Sequence, residues 1–533
     1  MITLFEVSFE IANKVGGIHT VVSSKVQYLA PFVKDHILIG PYFESSKEFT
    51  KQQTPQHYQQ TFETLAKEGI IAHYGQWNIP AKPQVILLEF GGAYDQLDYY
   101  KGEFYEHFEV DSLFAQHDYN EPFAFSIAAG KLIEQLLAVH PHKPIVQTHE
   151  WMTGITNLYC KFKQLPIKTV FTTHATMLGR AIVGNGENLY ELLPTLNAFE
   201  KAKQLQIFSK FTCERASALF SDAFTTVSNV TAHECEIILG KKPQVTPNGF
   251  DIDDFPNVQH IFAKQEQSRE KLNQFLQYFF YPYYKFDLEK TTLLFTSGRH
   301  EVRSKGIDVT LEAMNILEQK FANSDQHIVL FIFVPYSHQG PLQHVLRHKE
   351  QIEKKQPFSQ PPKPQPELSA FSVDHNQIHD LCAQFNITNE QSKKVKLVYY
   401  PVYLEGNDGL LNQEYYDAIC GCDIAVFPSF YEPWGYTPME SAVLAIPTIT
   451  TNLAGFGQYV EKKSGITVLN RQTTTDTQCA HDIANAIEEY INLSDHKKML
   501  RKLQIKLTAT CIDWQVLIKK YQEIYEGLYN AKT

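Results

Sequence analysis

Short apolar runs recur along the whole chain, separated by longer segments of mixed polarity. In the first half they are "LFEVSF" from Leu4, "HILIGPY" from His36, "VILLEF" from Val85, "IVQTH" from Ile145, "TVFTTH" from Thr169 and "AFTTVS" from Ala223. Several intervening segments, such as "FAFSIAAGKLIEQLLAVH" from Phe123, carry helical periodicity. Strand and helix in alternation dictate a parallel sheet with helices on its faces. The stretch "VTPNGFDIDDF" (245–255) is punctuated like a domain edge. Beyond it a second series begins: "TLLFTSG" from Thr292, "HIVLFIFVP" from His327, "KLVYYP" from Lys396, "DIAVFPS" from Asp423 and "PTITTN" from Pro447. At 533 residues the chain is too long for one core. The expected fold class is therefore α/β, with two doubly wound, Rossmann-like domains facing across a cleft.

Expected boundaries are 1–250 for the first domain and 251–510 for the second. The polar, proline-rich "KKQPFSQPPKPQPELS" (354–369) cannot bury a core, so it reads as a mobile loop or extension within the second domain. The aromatic cluster "FLQYFFYPYYKF" (275–286) suits packing or a subunit contact better than a binding surface. The last segment, "DWQVLIKKYQEIYEGLYNA" from Asp513, reads as an amphipathic helix (511–533) packing back on the first domain.

A net charge of −11 argues against nucleic acid or an acidic membrane surface as partner. A neutral partner agrees with it, and 28 tyrosines and 36 phenylalanines leave rings to spare for sugar stacking. The N-terminus lacks the pattern of a signal peptide, and no apolar run reaches membrane-spanning length. Eight scattered cysteines, with only a lone C-x-C at Cys420 and Cys422, point to a reduced, cytoplasmic setting.

Candidate chemistry gathers where strands end. In "FPSFYEPWGYTPMES" (427–441), Glu432 and Glu440 stand eight positions apart between an apolar strand and a helix start. Thr437 reads as N-cap, Pro438 as the first helical residue and Glu440 as the reciprocal partner of a capping box, which accounts for Glu440 with or without a ligand. Glu432 sits in the loop, solvated or facing a ligand, and the helix behind it offers free N–H groups to an anion such as a diphosphate. "NKVGGIHTV" (13–21) follows the first strand; its glycines make either a tight turn or a close approach to a ligand, with Lys14 placed to meet a phosphate. "QTHEW" (147–151) and "TTHATMLGR" (172–180) each end a strand with a histidine, structural or part of one shared site. "HEWMT" has Thr153 where a zinc-binding H-E-x-x-H needs its second histidine, so no metal site is expected. In "SGRHEVRSKGIDV" (297–309), Arg299 and Lys305 either converge on a diphosphate or belong to a solvated basic loop.

Taken together, "FEVSFEIANKVGGIHTV", "HEWMTG", "TTHATMLGR", "AFTTVS", "PNGF", "GRHEVRSKG" and "FYEPWGYTPMES…TTNLAGFG" resemble glycogen synthases of the animal and fungal type in order and spacing, over nearly the whole chain. The wider E-x7-E pattern is shared by many retaining glycosyltransferases of the GT-B fold. The resemblance implies that Glu432 lies by the donor sugar and Glu440 holds the ribose. Arg299 and Lys305 would act on the donor diphosphate, Lys14, Gly16 and Gly17 would form the amino-terminal loop, and Gly435, Tyr436 and Thr437 would open the helix facing the donor. His174 and Arg180 would face the donor from the other domain, Glu150 would lie on the acceptor side, and Tyr415 would stack on the base. The implied reaction is a retaining transfer of glucose from UDP-glucose, or ADP-glucose, to the 4-hydroxyl at the non-reducing end of glycogen or another α-1,4-glucan. No cofactor is expected, domain closure would gate turnover, and a homo-oligomer is expected.

Three other readings compete: a GT-B glucosyltransferase with a different donor or acceptor, an inactive glucan-binding scaffold, and a phosphorylase, which would need a lysine-bound pyridoxal phosphate. The sequence also departs from its relatives. They carry an arginine-dense helix before "DW" that reads glucose 6-phosphate and phosphorylation, whereas "HKKMLRKLQIKLTATCIDW" (496–514) offers only Lys497, Lys498, Arg501, Lys502 and Lys506. Their long phosphorylated tail is not expected here either. The expectation is an enzyme that is constitutively active or differently regulated.

Overall fold

The computed structural model describes residues 2–44, 46–460 and 465–530. The chain divides into two compact units, Met1–Asp251 with Ile512–Thr533, and Ile252–Cys511. In the first, the strands are β1 (Ile2–Val7), β2 (Val33–Pro41), β3 (Phe49–Lys51), β4 (Ile71–Trp77), β5 (Gln84–Glu89), β6 (Pro144–His149), β7 (Lys168–Thr173), β8 (Ala223–Thr226) and β9 (Gln244–Val245). In the second they are β10 (Thr291–Ser297), β11 (His327–Phe333), β12 (His338–Pro341), β13 (Phe371–Val373), β14 (Val395–Tyr400), β15 (Ile424–Val426), β16 (Thr448–Thr451) and β17 (Thr467–Leu469).

The second unit's main sheet runs β14-β11-β10-β15-β16-β17 with every neighbouring pair parallel. This is the doubly wound order, which reverses direction between β10 and β15. Strand β11 reads HIVLFIF and is buried along all but its first residue, because helices cover both faces. The first unit's sheet runs β3-β4-β5-β2-β1-β6-β7-β8-β9 and reverses between β1 and β6. It is parallel from β5 to β9, but β3 and β4 pair antiparallel at one edge. That edge escapes sequence reading because "IAHYGQW" mixes polar and apolar residues, with Ile71 exposed and Trp77 fully buried.

Each unit has its own core. In the first, helix His117–Leu136 packs Phe123, Phe125, Ile127 and Leu132 against Phe5 and Val146. In the second, the aromatic cluster is packing material: helix Val258–Phe280 buries Phe275, Phe279 and Phe280 against Phe295, Phe331 and Tyr400. The proline-rich segment is an extension without helix or strand of its own. It is tied at its start by Ser359 N donating to Gln351 Oε1 (2.9 Å) and at its end by Glu367, which pairs with Lys363 (3.2 Å) and His344 (3.4 Å).

The final helix, Trp514–Asn530, belongs to the first unit. The Trp514 ring is fully buried, and its Nε1 donates to Ser24 Oγ at 2.8 Å. Tyr525 donates to Gln147 on β6, and Tyr529 to the Pro144 carbonyl at 2.5 Å. Trp514→Ala should cost about 3–5 kcal/mol, read as a lower urea midpoint, with the loss confined to a transition assigned to the first unit.

Candidate functional site

In an open parallel sheet the crevice lies at the carboxyl ends of the strands, where the winding reverses. In the second unit those strands are β10 and β15. The loop after β10 carries Arg299 and then a single helical turn, Val302–Lys305, closed by Gly306 at φ +70°. A Cβ at Gly306 would stand 2.2 Å from the Pro428 carbonyl oxygen, so only glycine lets this turn press against the loop that follows β15. Phe430 N donates to the Ser304 carbonyl (2.9 Å), and Lys305 Nζ lies 2.5 Å from Glu432 Oε2. Both side chains are mostly buried, 17% and 14% exposed, so this is a paired charge held in place. Arg299 differs: it is 67% exposed and pairs with Glu301 at 3.0 Å. An exposed pair of that kind is worth at most about 1 kcal/mol, so the guanidinium can exchange Glu301 for an incoming anion at little cost.

The loop carrying Glu432 is fixed from its other side. Gly455 N donates to the Glu432 carbonyl at 3.0 Å and Phe456 N to the Trp434 carbonyl at 2.7 Å, which is why "YEPWGYTP" and "TTNLAGFG" form one structure. The following helix corrects the capping expectation. It spans Tyr436–Val443, two residues earlier than Thr437 as N-cap requires, with Gly435 at φ +102° in the cap position and no side-chain cap. The left-handed turn at Gly435 starts the helix without a side chain, so Thr437 lies inside the first turn. Glu440 does not reach back; its Oε1 accepts from the Tyr416 hydroxyl at 3.1 Å. Tyr415, on helix Tyr415–Cys420, shares a hydrogen bond with Ser297 Oγ at 2.7 Å.

In the first unit the winding reverses between β1 and β6, and the predicted residues again follow those strands and β7. After β1, Lys14 and Gly16 lie exposed in one loop, and Gly17 is exposed at the first position of the helix that follows it. Glu10 Oε2 accepts from Gly16 N and His19 N, each at 2.8 Å, shaping that loop into the start of helix Gly17–Leu29. After β6, Glu150 sits at φ +65° and its Oε1 accepts from His174 N (3.0 Å) and Ala175 N (3.2 Å). Burial raises the Glu150 carboxyl to about 6, against the opposing pull of Arg180 and those two N–H groups. His174 Nε2 lies 3.0 Å from His149 Nδ1. Burial, then the charges of His149, Lys25 and Arg180, hold His174 well below the usual histidine range, so it is neutral.

Several residues here escape sequence reading. Glu6 on β1 forms an ion pair with Lys25 (2.7 Å) and hydrogen bonds with His36 (2.8 Å) and His149 (2.8 Å). Glu214 and Glu234 join Glu150 in holding the His174 loop: Glu214 Oε2 accepts from Met177 N (2.8 Å), Glu214 Oε1 lies 2.7 Å from Thr173 Oγ1, and Glu234 bonds Thr176 Oγ1. The available signal was a charged residue inside an apolar run, as Glu6 is in "LFEVSF". Among the described residues no group of three or more His, Cys, Asp or Glu is arranged to hold a metal ion, and no helix is long and apolar enough to cross a membrane.

The fold recurs in solved structures. The catalytic domain of starch synthase IV from Arabidopsis thaliana, bound to ADP and acarbose, superposes with a TM-score of 0.56 at 15% identity, covering 99% of both chains. Sucrose-phosphate synthase from Thermosynechococcus elongatus gives 0.54 at 13% identity over 100% of both. The chain has the GT-B fold of these enzymes, the fold class its sequence predicts. The sequence model of the family "Glycogen synthase" matches residues 6–356 and 372–528. Human liver glycogen [starch] synthase is 30% identical over 97% of this chain and 82% of its own, and isoform 2 of Saccharomyces cerevisiae 27% over 97% and 85%. The chain belongs to the glycogen synthase family.

Burial, then the nearby Glu150 carboxylate, raises Glu214 from its ordinary 4.5 to about 8. The folded protein thus keeps a proton that the unfolded chain releases near 4.5, and its stability falls as pH rises between those values. Glu150 contributes in the same direction over the lower part of the window. A protonated Glu214 can donate to Thr173 while Thr173 donates to the Ala175 carbonyl (3.3 Å), an arrangement that glutamine reproduces. Glu214→Gln should therefore match wild type in Tm near pH 5 and exceed it by several degrees near pH 8, measured by calorimetry.

Proposed function

We propose that this chain transfers glucose, with retention, from a nucleotide diphosphate glucose, UDP-glucose in the first instance and ADP-glucose as the alternative, to the non-reducing end of glycogen or a related α-1,4-glucan. The observation that carries this reading is the Lys305–Glu432 pair at the β10/β15 switch point, beside an exchangeable Arg299 and the start of helix Tyr436–Val443. As the sugar leaves its diphosphate, negative charge builds on the phosphate oxygens and positive charge on the anomeric carbon. Arg299, Lys305 and the helix N–H groups from Gly435 to Thr437 oppose the first. Glu432 lies by the sugar, where its carboxylate favours the second. A carboxylate already paired with an ammonium at 2.5 Å serves as a fixed charge rather than a nucleophile.

Glu440 would hold the ribose in place of its Tyr416 partner, and Tyr415 would stack on the base. In the first unit, Lys14, Gly16 and Gly17 would form the anion-facing loop. His174 and Arg180 would contact the donor, and Glu150 would lie on the acceptor side. Cations facing a diphosphate favour a transferase over a glucan-binding scaffold, which has no use for them.

The cations of helix Asp495–Thr508 support a regulatory difference from the relatives. Arg501 donates to the Gly465 carbonyl (3.0 Å) and Thr467 Oγ1 (2.6 Å), Lys502 to Gln265 Oε1 (2.9 Å), and Lys506 to the Val443 carbonyl (2.6 Å). These side chains are spent on neighbouring protein oxygens, and a sugar phosphate would have to displace those bonds. Allosteric activators commonly act by about 5- to 150-fold. A dose series of glucose 6-phosphate should change the initial rate by less than about twofold; strong activation overturns this part of the reading.

The main test is release of UDP from UDP-glucose with glycogen present and without metal or effector. Wild type should release UDP only with glycogen, and Glu432→Ala should lower the rate by about a hundredfold or more while keeping its thermal transition. No release from UDP-glucose or ADP-glucose leaves the scaffold reading in place instead.

A further inference from the structure

Beneath His174 lies a row of buried polar groups that the proposed chemistry does not use. Glu6 is on β1, His149 ends β6, and His174 is the first residue beyond β7. These strands are parallel neighbours, so their side chains line up near the carboxyl ends. His149 Nε2 lies 2.8 Å from Glu6 Oε1, and His149 Nδ1 3.0 Å from His174 Nε2. Glu6 also receives Lys25 Nζ from helix Gly17–Leu29 (2.7 Å) and His36 Nε2 from β2 (2.8 Å), and the side chains of Glu6 and Lys25 are fully buried. Lys25 in turn sits 4.5 Å over the ring of Tyr521 on the final helix.

The protons along this row can be counted. A carboxylate facing an ammonium and two imidazoles only accepts, so His149 Nε2 carries a hydrogen. His149 is enclosed in the core beside Lys25, and burial lowers its pKa more than Glu6 restores it, so the ring is neutral. A neutral imidazole has one N–H. His149 spends its own on Glu6, so its Nδ1 is a lone pair and His174 Nε2 must donate to it. His174 is itself neutral, which leaves its Nδ1 as a lone pair, and among the described residues that atom has no protein partner.

We propose that Glu6 is a positioning residue: acting through His149, it fixes His174 as the Nε2–H tautomer, so that His174 offers an acceptor to a hydroxyl of the substrate and no hydrogen to a phosphate oxygen. That the partner is a substrate hydroxyl rests on the glucosyl-transfer function proposed above; the tautomer does not. The charged and titratable groups around His174 are Glu6, Lys25, His36, His149, Glu150 and Arg180, with Tyr521 and Tyr525 of the final helix behind Lys25 and Glu6. The order of protons is set three residues away from the reacting atoms. Removing the charge on Glu6 removes the instruction.

The test is long-range 1H–15N correlation on the full chain labelled at histidine nitrogen, with His174→Asn to assign the resonances. Wild type should show His174 neutral from about pH 6 to 8, protonated at Nε2 and bare at Nδ1. A hydrogen on Nδ1, or a cationic His174 or His149, overturns the proposal. Glu6→Gln presents both a donor and an acceptor to His149, so His174 should become a mixture of tautomers. The kcat of glycogen-dependent UDP release should fall about 10- to 100-fold while the donor KM moves less than about threefold. A variant with the wild-type tautomer and unchanged kcat also overturns it. Should Glu6→Gln fail to fold, the wild-type spectrum alone decides. A wild-type protein that transfers no glucose refutes the proposed function, while the spectrum still judges the tautomer.

Discussion

Parallel strands joined by right-handed crossovers must send their helices to one face on one side of the first strand and to the other face on the other side. Where the winding reverses, the loops leaving two neighbouring strands part, and the side chains on them can face a ligand that no helix covers. Both units obey this constraint, at β1/β6 and at β10/β15. The residues with chemistry follow those strands, or in the case of His174 the next strand, β7: Glu10, Gly16, Glu150 and His174 in one unit, Arg299, Lys305 and Glu432 in the other. Their positions follow from how each sheet is wound.

Converging loops at a strand end bring charge into places that water cannot fully reach, and the structure neutralises it in two ways. In the second unit the solution is a direct pair, Lys305 with Glu432, framed by the close approach of Gly306 to Pro428. In the first unit it is distributed. Lys25, His36 and His149 share Glu6, while backbone N–H groups and hydroxyls hold Glu150, Glu214 and Glu234. Taking such groups out of water is repaid only when nearly every lone pair and proton finds a partner. Such an arrangement has few alternatives, and the turn 174–176 with the start of helix Met177–Gly184 is correspondingly constrained in where it can place His174 and Arg180.

Much of the architecture was legible. Runs such as "HIVLFIF" and "IVQTH" are apolar because both faces of a central strand are covered, and the segments between them keep helical periodicity because each helix buries only one face. The antiparallel edge β3–β4 was not, since an edge strand half open to water mixes its residues. The capping box at Thr437 failed for a different reason. Thr, Pro and Glu at those spacings satisfy the local pattern, but Gly435 in a left-handed conformation begins the helix two residues sooner, and Glu440 takes Tyr416 as partner from a separate helix.

By itself the sequence determined the α/β class, the two series of strands, the loops that bear glycine, histidine and paired charges, and the family to which they belong. These are properties of periodicity and spacing along the chain. Only the tertiary structure decided which charges meet. Lys305 and Glu432 are 127 positions apart, and Glu6 and His149 are 143 apart. Nothing local connects either pair; strand order does, because it sets which carboxyl ends are neighbours. The protonation of Glu150 and Glu214 and the neutrality of His174 are decided at the same level, since each depends on how much water the fold excludes and on what charge it leaves nearby.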